Sequence, residues 1–186
     1  MHPEQLSTGA GRRLTREIAE VAASVAYAEL PQQAIERVRH CLLDWLAVTI
    51  AGAAEPAAAA VRAIGLAESA HGEATIVGTP LRSGPQQAAL ANAVAAHALD
   101  FDDLNMHVVA HLSAPVCAAV VALAQQRRCG DGRTLIEAVV AGVETACRVG
   151  LAVGESHYRQ GWHATGTLGT FGAAAACGRL LSFDAA

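Results

Sequence analysis

Apolar residues recur along this chain with the spacing of amphipathic helices. In REIAEVAASVAYAEL (16–30), which follows Thr15, apolar side chains fall three or four positions apart and form one stripe. Other stretches bounded by proline, serine, threonine or glycine predict helices over 31–53, 56–70, 84–99, 113–126, 134–154 and 165–181. ATIVGTPLRSG (74–84) is β-branched and bounded by turn residues, which indicates a short strand or an extended connection. The pattern predicts an all-α helical bundle of about seven helices, with 1–14 as a flexible N-terminus and 15–186 as one domain.

Local sequence signals predict how some of these helices begin and pack. Ser83 with Gln86, and Thr134 with Glu137, have the spacing of a capping box, in which the hydroxyl caps the following helix. Alanine and glycine are abundant at helix positions, which predicts close backbone contact at the crossings. Glycines recur at every third position in 166–172, and for the last two we expect helix–helix contact.

Composition narrows the class of protein. Hydrophobic residues make up 53% of the chain and charged residues 16%, so a packed core is expected instead of disorder. All thirteen positive side chains are arginine, no lysine occurs, and the net charge is −4. With aromatic residues at only 4%, neither a basic face nor a stacking surface for nucleic acid is expected.

The cysteines and the apolar segments bear on the compartment. The five cysteines are dispersed and form no C-x-x-C pair, which favours reduced thiols in a cytoplasmic protein. No apolar run follows the N-terminal arginines, so no secretory signal is predicted. The most apolar segment, 41–54, is too short to span a bilayer and includes Asp44, so no membrane association is expected.

Titratable residues are concentrated in HALDFDDLNMHVVAHLSAP (97–115), in a chain that is otherwise weakly charged. Each residue alone has an ordinary structural explanation: aspartates cap helix ends, and a histidine such as His97 packs inside a helix. As a group, the three aspartates and three histidines should perturb one another's pKa values, which is typical of a functional site. The members are His97, Asp100, Asp102, Asp103, His107 and His111.

Three kinds of chemistry fit this segment. His107 and His111 are four residues apart and, with Asp100 or Asp103, have metal-ligand spacing, but the glutamate of H-E-x-x-H is absent. The D-x-D-D at 100–103 matches the general-acid motif of class II terpene cyclases, yet the chain lacks the aromatic residues that line such pockets. The third option is acid–base chemistry on a small anion.

A second segment, HYRQGWHATGTLGTFGAAAACGRLL (157–181), supports the acid–base option. His163 lies just before a predicted helix whose first turn is Thr165-Gly166-Thr167. The unpaired N–H groups of such a turn would bind a carboxylate or phosphate, with Arg159 as a clamp. No strand precedes GTLGTFG, so it is not a dinucleotide-binding motif.

Together, HALDFDD, HLSAPV and GWHATGTLGTFGAAAA resemble the MmgE/PrpD family of 2-methylcitrate dehydratases, cis-aconitate decarboxylases and iminodisuccinate epimerases. The resemblance runs from about residue 15 to the end. It implies the N-terminal helical part of a larger domain that stands beside a smaller α+β lid domain. It also implies lyase or isomerase chemistry on small polycarboxylates, without a cofactor or metal, usually in a homodimer.

The resemblance also implies site residues. Asp100, His111 and His163 match the family's active-site positions and are expected to be catalytic, because two histidines beside an aspartate supply a base and an acid. Expected substrate-binding residues are Arg159, Thr165, Gly166, Thr167, Asp103 and His107. Three positions depart from the family's pattern, where Leu104 replaces a threonine and Leu112 and Ala164 replace prolines, and the spacing from Asp100 to His111 is one residue longer.

The resemblance covers only part of the family's length. Family members are more than twice as long, and their catalytic lysines and a further histidine lie beyond the matching part. We therefore expect a lysine-bearing C-terminal region or partner subunit to complete the site. Dehydration is favoured over decarboxylation, and epimerisation stays open. The alternatives are a non-catalytic assembly or regulatory protein of the same fold, and a metallohydrolase that uses His107 and His111.

Overall fold

The computed structural model of the chain describes residues 8–68 and 72–185. The described residues form α-helices and one pair of two-residue strands, which confirms the all-α prediction. The helices are α1 (Thr8–Ser24), α2 (Gln32–Gly52), α3 (Pro56–Glu68), α4 (Pro85–His97), α5 (Ser113–Gln126), α6 (Gly132–Val153), α7 (Glu155–Arg159) and α8 (Ala164–Leu180). Strands β1 (Ala74–Thr75) and β2 (Arg82–Ser83) pair antiparallel within the predicted extended segment.

Helix α1 differs from its prediction at both ends. It begins at Thr8, so Thr15 lies inside the helix instead of capping it. It ends at Ser24, and Tyr27–Glu29 form a separate 3₁₀ turn. Residues 1–7 of the segment that we predicted to be flexible lie outside the described residues.

Contacts from distant helices explain why α1 ends early. The Glu137 carboxylate on α6 accepts a hydrogen bond of 2.7 Å from the backbone N–H of Tyr27. On α8, Arg179 donates one bond to the Val25 carbonyl (2.8 Å) and another to Glu137 (2.7 Å). Since these groups hold the backbone of residues 25–27, the hydrogen bonds that would extend the helix are replaced by tertiary ones.

Both capping-box predictions are wrong. The residue that precedes α4 is Gly84, which makes no side-chain cap, and Ser83 belongs to β2. At α6 the cap is Asp131, whose carboxylate accepts from the backbone N–H of Arg133 at 3.0 Å. Glu137 is unavailable to a capping box because its two oxygens bind the groups described above.

Helix α5 runs through the centre of the bundle, where eight of its residues are buried. Its small side chains let α4, α6 and α8 pack around it. At the α6–α8 crossing, a Cβ placed on Gly142 would lie 2.7 Å from the Gly172 carbonyl oxygen. At the α5–α8 crossing, a Cβ on Gly169 would lie 2.4 Å from Cγ of Pro115. The expected contact role of Gly169 and Gly172 is therefore confirmed.

None of the individual helices in 8–68 and 72–185 combines the length and apolar character needed to cross a bilayer. The segments Gln32–Gly52 and Pro56–Gly65 meet those two criteria only as a pair, which bends by 93° between them.

Candidate active site

Three parts of the fold bring the histidine segments together. Helix α4 ends at His97, the connection 98–112 follows it, and His163 is the residue just before α8. Within the connection, the backbones of Asn105 and Ala110 exchange two hydrogen bonds, of 3.0 and 3.3 Å, and close a tight loop. Asp100 adopts a positive φ of 54°, which a short polar side chain tolerates and which turns the chain back toward α4.

Asp102 is the centre of the site. Its side chain is only 2% exposed, and its two oxygens lie 3.0 and 3.1 Å from Nδ1 of His97. The first oxygen also lies 3.2 Å from Nδ1 of His111. A single buried carboxylate therefore contacts both imidazoles. By contrast, the Asp100 side chain is 79% exposed and approaches Nε2 of His111 only to 3.6 Å.

The three imidazoles form a continuous group. The ring centroid of His97 lies 4.6 Å from that of His111 and 5.7 Å from that of His163. Two of the predicted catalytic residues, His111 and His163, therefore approach the same third ring. His111 is fixed further by its backbone N–H, which donates to the hydroxyl of Thr165 on α8 at 3.0 Å.

An open cavity of about 580 Å³ adjoins this group. His97 and His163 line it, together with Thr165 and Gly166 from the first turn of α8. The remaining wall is apolar and comes from α4, α5 and α8: Ala93, Val94, Ala98, Ala114, Pro115, Gly169, Thr170 and Ala173. His111 stands behind His97, because its ring contacts His97 but is not part of the described cavity wall.

Asp103, an expected substrate-binding residue, faces a different set of groups. Its Oδ2 accepts a hydrogen bond from Ser113 at 2.7 Å and lies 3.6 Å from Sγ of Cys41. Its backbone N–H donates to Asp44. Oδ1 is buried and has no hydrogen-bond partner among the described residues. Burial raises the pKa of the Asp103 carboxyl, against the lowering effect of the Ser113 hydrogen bond.

Three other expected substrate-binding residues lie away from the imidazole group. Arg159 forms an exposed ion pair with Glu155 of the same short helix, and it lines a second cavity together with His107. The Thr167 hydroxyl contacts Nε2 of His157 at 2.7 Å. Of the six residues expected to bind substrate, only Thr165 and Gly166 line the cavity beside His97 and His163.

Four of these side chains could also hold a metal ion. Ligand atoms of His97, Asp100, Asp102 and His111 lie within 4.8 Å of one another. Two imidazole nitrogens and two carboxylate oxygens suit a divalent transition metal. The metal set predicted from spacing differs, because His107 belongs to the second cavity. Nδ1 of His97 and Nδ1 of His111 both contact Asp102. These contacts account for the close approach of the four side chains without a metal ion.

Sequence reasoning missed the importance of Asp102 and His97. The motif directed attention to Asp100, and His97 was interpreted as a packed histidine of an alanine-rich helix. The clustering of six titratable residues within nineteen positions was the sequence signal for a functional segment. It did not show which of these side chains contact one another.

Comparison with known proteins gives the class to which this fold and site belong. The model of the MmgE/PrpD N-terminal domain matches residues 16–186, and the chain therefore belongs to the MmgE/PrpD family. It is similar to the cis-aconitate decarboxylase of Aspergillus terreus, with 28% identity over 97% of this chain. It is also similar to the cis-aconitate decarboxylase-like protein oryM of Aspergillus oryzae, with 30% identity over 92% of the chain. The chain spans 38% and 37% of the length of these two relatives.

Proposed function

We propose that this chain contributes the acid–base part of a lyase site that acts on a small polycarboxylate. The observation that carries the proposal is the group of three imidazoles around one buried carboxylate, beside an open cavity. Family membership supports lyase-type chemistry. The sequence favours dehydration, and the names of the relatives support decarboxylation of an acid like cis-aconitate as the other candidate reaction.

The proposed catalytic residues are Asp100, His111 and His163. Dehydration needs a base that removes a proton next to a carboxylate and an acid that protonates the departing hydroxyl. Decarboxylation needs an acid that delivers a proton to the carbon that retains the electron pair. Histidines perform both steps near neutral pH, and Asp100 is placed to contact His111. Epimerisation requires only the proton step and remains an alternative.

The first turn of α8 is the proposed site for a substrate carboxylate. No side chain caps this helix start, so its N–H groups are available to an anion, and the helix dipole adds a favourable field. Thr165 and Gly166 contribute to the cavity wall at this point. The proposal is restricted to these two residues, because Arg159, Thr167, Asp103 and His107 make the other contacts described above.

We further propose that a lysine-bearing C-terminal region or subunit completes the site. A polycarboxylate carries several negative charges, and the described residues that line the cavity include no arginine. The chain contains no lysine and spans less than two fifths of the relatives' length. Co-purification from the native source, followed by mass spectrometry, tests whether such a polypeptide accompanies the chain.

Proton exchange is the direct test of the proposed chemistry. We would incubate the chain in D₂O with cis-aconitate, citrate or 2-methylcitrate, with and without its co-purified partner, and follow deuterium incorporation by NMR. We expect His163→Ala to lower the rate by about 10²–10⁴-fold, the usual contribution of an acid–base group. His40→Ala is the matched control because His40 is exposed on α2. Equal rates in wild type and His163→Ala would contradict the proposal.

A non-catalytic assembly role is the second candidate. The observation that favours it is an exposed apolar stripe on α2, formed by Leu43 (67% exposed), Leu46 and Ile50. These residues are three and four positions apart and share one helix face. The homodimer expected for the family would cover the stripe with a second copy. Sedimentation equilibrium tests this, since Leu46→Glu should give monomers whereas an unchanged mass would reject the stripe as the interface.

We also propose a cytoplasmic location. All five cysteines are free thiols in the structure, and a reducing compartment keeps thiols in that state. Fractionation of the source cells tests this location, and recovery outside the cytoplasm would reject it.

A further inference from the structure

The residue between the two predicted catalytic histidines has no role in the proposed mechanism. His97 lines the cavity, and its ring centroid lies 5.7 Å from that of His163 and 4.6 Å from that of His111. His111 lies behind it. A substrate in the cavity would therefore meet His97 and His163 first.

Asp102 determines which nitrogen of His97 is available. A carboxylate only accepts hydrogen bonds, so Nδ1 of His97, which contacts both Asp102 oxygens at 3.0 and 3.1 Å, must carry the hydrogen. Nδ1 of His111 carries the hydrogen as well, because it donates to the backbone carbonyl of Asp102 at 3.2 Å. Each neutral ring then has an unprotonated Nε2. For His97 the contact is bifurcated, because both carboxylate oxygens approach the same Nδ1. This arrangement fixes the tautomer and the orientation of the ring.

We propose that His97 is a third catalytic histidine, in addition to His111 and His163, and that Asp102 is the positioning residue that holds it in the Nδ1–H form. This inference rests on the proposed function. In dehydration, Nε2 of His97 takes the proton as the substrate C–H bond breaks. That electron pair forms the new C=C bond, and the C–O bond breaks toward oxygen. The oxygen takes a proton from His163 and leaves as water. The charge that forms on His97 lies beside the Asp102 carboxylate.

The tautomer can be tested without turnover. In the ¹⁵N-histidine-labelled chain, we expect long-range ¹H–¹⁵N spectra to show His97 as the Nδ1–H form. In Asp102→Leu, a side chain of similar size offers no acceptor to the Nδ1–H group of His97, so the contact that holds the tautomer is lost. We therefore expect the Nε2–H form of His97 to appear at the expense of the Nδ1–H form. Asp100→Leu is the matched control and should leave the tautomer unchanged. An unchanged tautomer in Asp102→Leu would overturn the positioning role.

The catalytic role needs a variant that keeps the fold. In His97→Asn, the side-chain NH₂ can replace the Nδ1–H donor to Asp102, but the Nε2 base is lost. We expect deuterium exchange to fall about 10²–10⁴-fold, with an unchanged circular dichroism spectrum. Full exchange in His97→Asn, together with loss in His163→Ala, would overturn this inference and leave the proposed function intact. Full exchange in both variants would overturn both.

Ligand binding gives a readout that does not depend on reaction. Tricarballylate is a tricarboxylate without a hydroxyl or a double bond, so it binds without turnover. On titration of the labelled wild-type chain, with its partner if one co-purifies, we expect the Nε2 signals of His97 and His163 to shift together and more than that of His111. A shift of His163 with His97 unmoved would reject His97 as a substrate contact. No shift at any of the three histidines would reject the proposed cavity and this inference with it.

Discussion

Replacement of Gly169 by alanine tests the link between helix packing and the site. The added Cβ would lie 2.4 Å from Cγ and 3.0 Å from Cβ of Pro115 on α5. Carbon atoms pack at about 3.5–4.0 Å, so α8 and α5 must separate by about 1 Å. The proline ring is rigid and cannot rotate away. Overpacking of this kind costs about 1–3 kcal/mol, and the better helix propensity of alanine returns about 1 kcal/mol. We expect a net loss of up to about 2 kcal/mol in the free energy of unfolding.

Gly166→Ala is the matched control in the same helix. Its added Cβ would meet only Nδ1 of His163, at an ordinary contact distance of 3.7 Å. We expect this variant to be as stable as wild type or more stable, by up to about 1 kcal/mol. Urea denaturation followed by far-UV circular dichroism measures both variants. Equal stability of Gly169→Ala and Gly166→Ala would refute the packing argument.

The same substitution should also affect exchange activity. Gly169 and Pro115 line the cavity, and His163 begins the helix that would move. Because α4 packs against α5, a separation of α8 from α5 by about 1 Å would alter the spacing of His97 and His163. Such misplacement lowers rates by up to about 100-fold. We therefore expect Gly169→Ala to lose exchange activity while it remains folded at room temperature. Full activity would mean that the spacing of the two rings does not depend on this crossing.

Three further predictions concern stability, pH and thiol reactivity. Glu137→Ala leaves the largely buried Arg179 without its ion pair, so urea denaturation should show a loss on the order of 3 kcal/mol in the free energy of unfolding. The control Glu155→Ala removes an exposed ion pair and should lose less than about 0.5 kcal/mol. Similar losses in the two variants would contradict the role of the buried pair. Burial raises the pKa of Asp103 above its ordinary 3.8, so its carboxyl stabilises the fold most below that pH and the contribution is lost as pH rises through the folded pKa. The unfolding free energy of wild type relative to Asp103→Asn should accordingly fall from about pH 4 upward, and a rising difference would reject the assignment. Burial also raises the pKa of the Cys117 thiol, which makes it unreactive in the folded chain. Mass spectrometry should therefore find Cys117 unalkylated by iodoacetamide in the native chain and alkylated in urea. Alkylation in the native chain would mean that α5 is less buried than described.

Much of the fold follows from local sequence because helices are local structures. The period of the apolar residues predicted all but one of the helices in the described part of the chain. The β-branched segment predicted a short strand or an extended connection, and the structure has a pair of two-residue strands there. Helix α7 was not predicted separately from α6. Its five residues lie between Gly154, whose φ is 66°, and a turn at Gln160, and so short a stretch shows no period. The end of α1 was also missed, because the groups that bind residues 25–27 come from α6 and α8.

The sequence by itself determined the helical class, the family and the two histidine segments, because periodicity and motif spacing are properties of neighbouring residues. Only the tertiary structure decided the contacts within the site. The sequence motif selected Asp100, whereas the fold buried Asp102 between His97 and His111 and left Asp100 mostly in solvent. The fold also places Arg159 in the wall of a second cavity and His97 in the wall of the first. Which of several nearby side chains is buried depends on the direction in which the chain leaves a helix, and the packing of distant elements sets that direction.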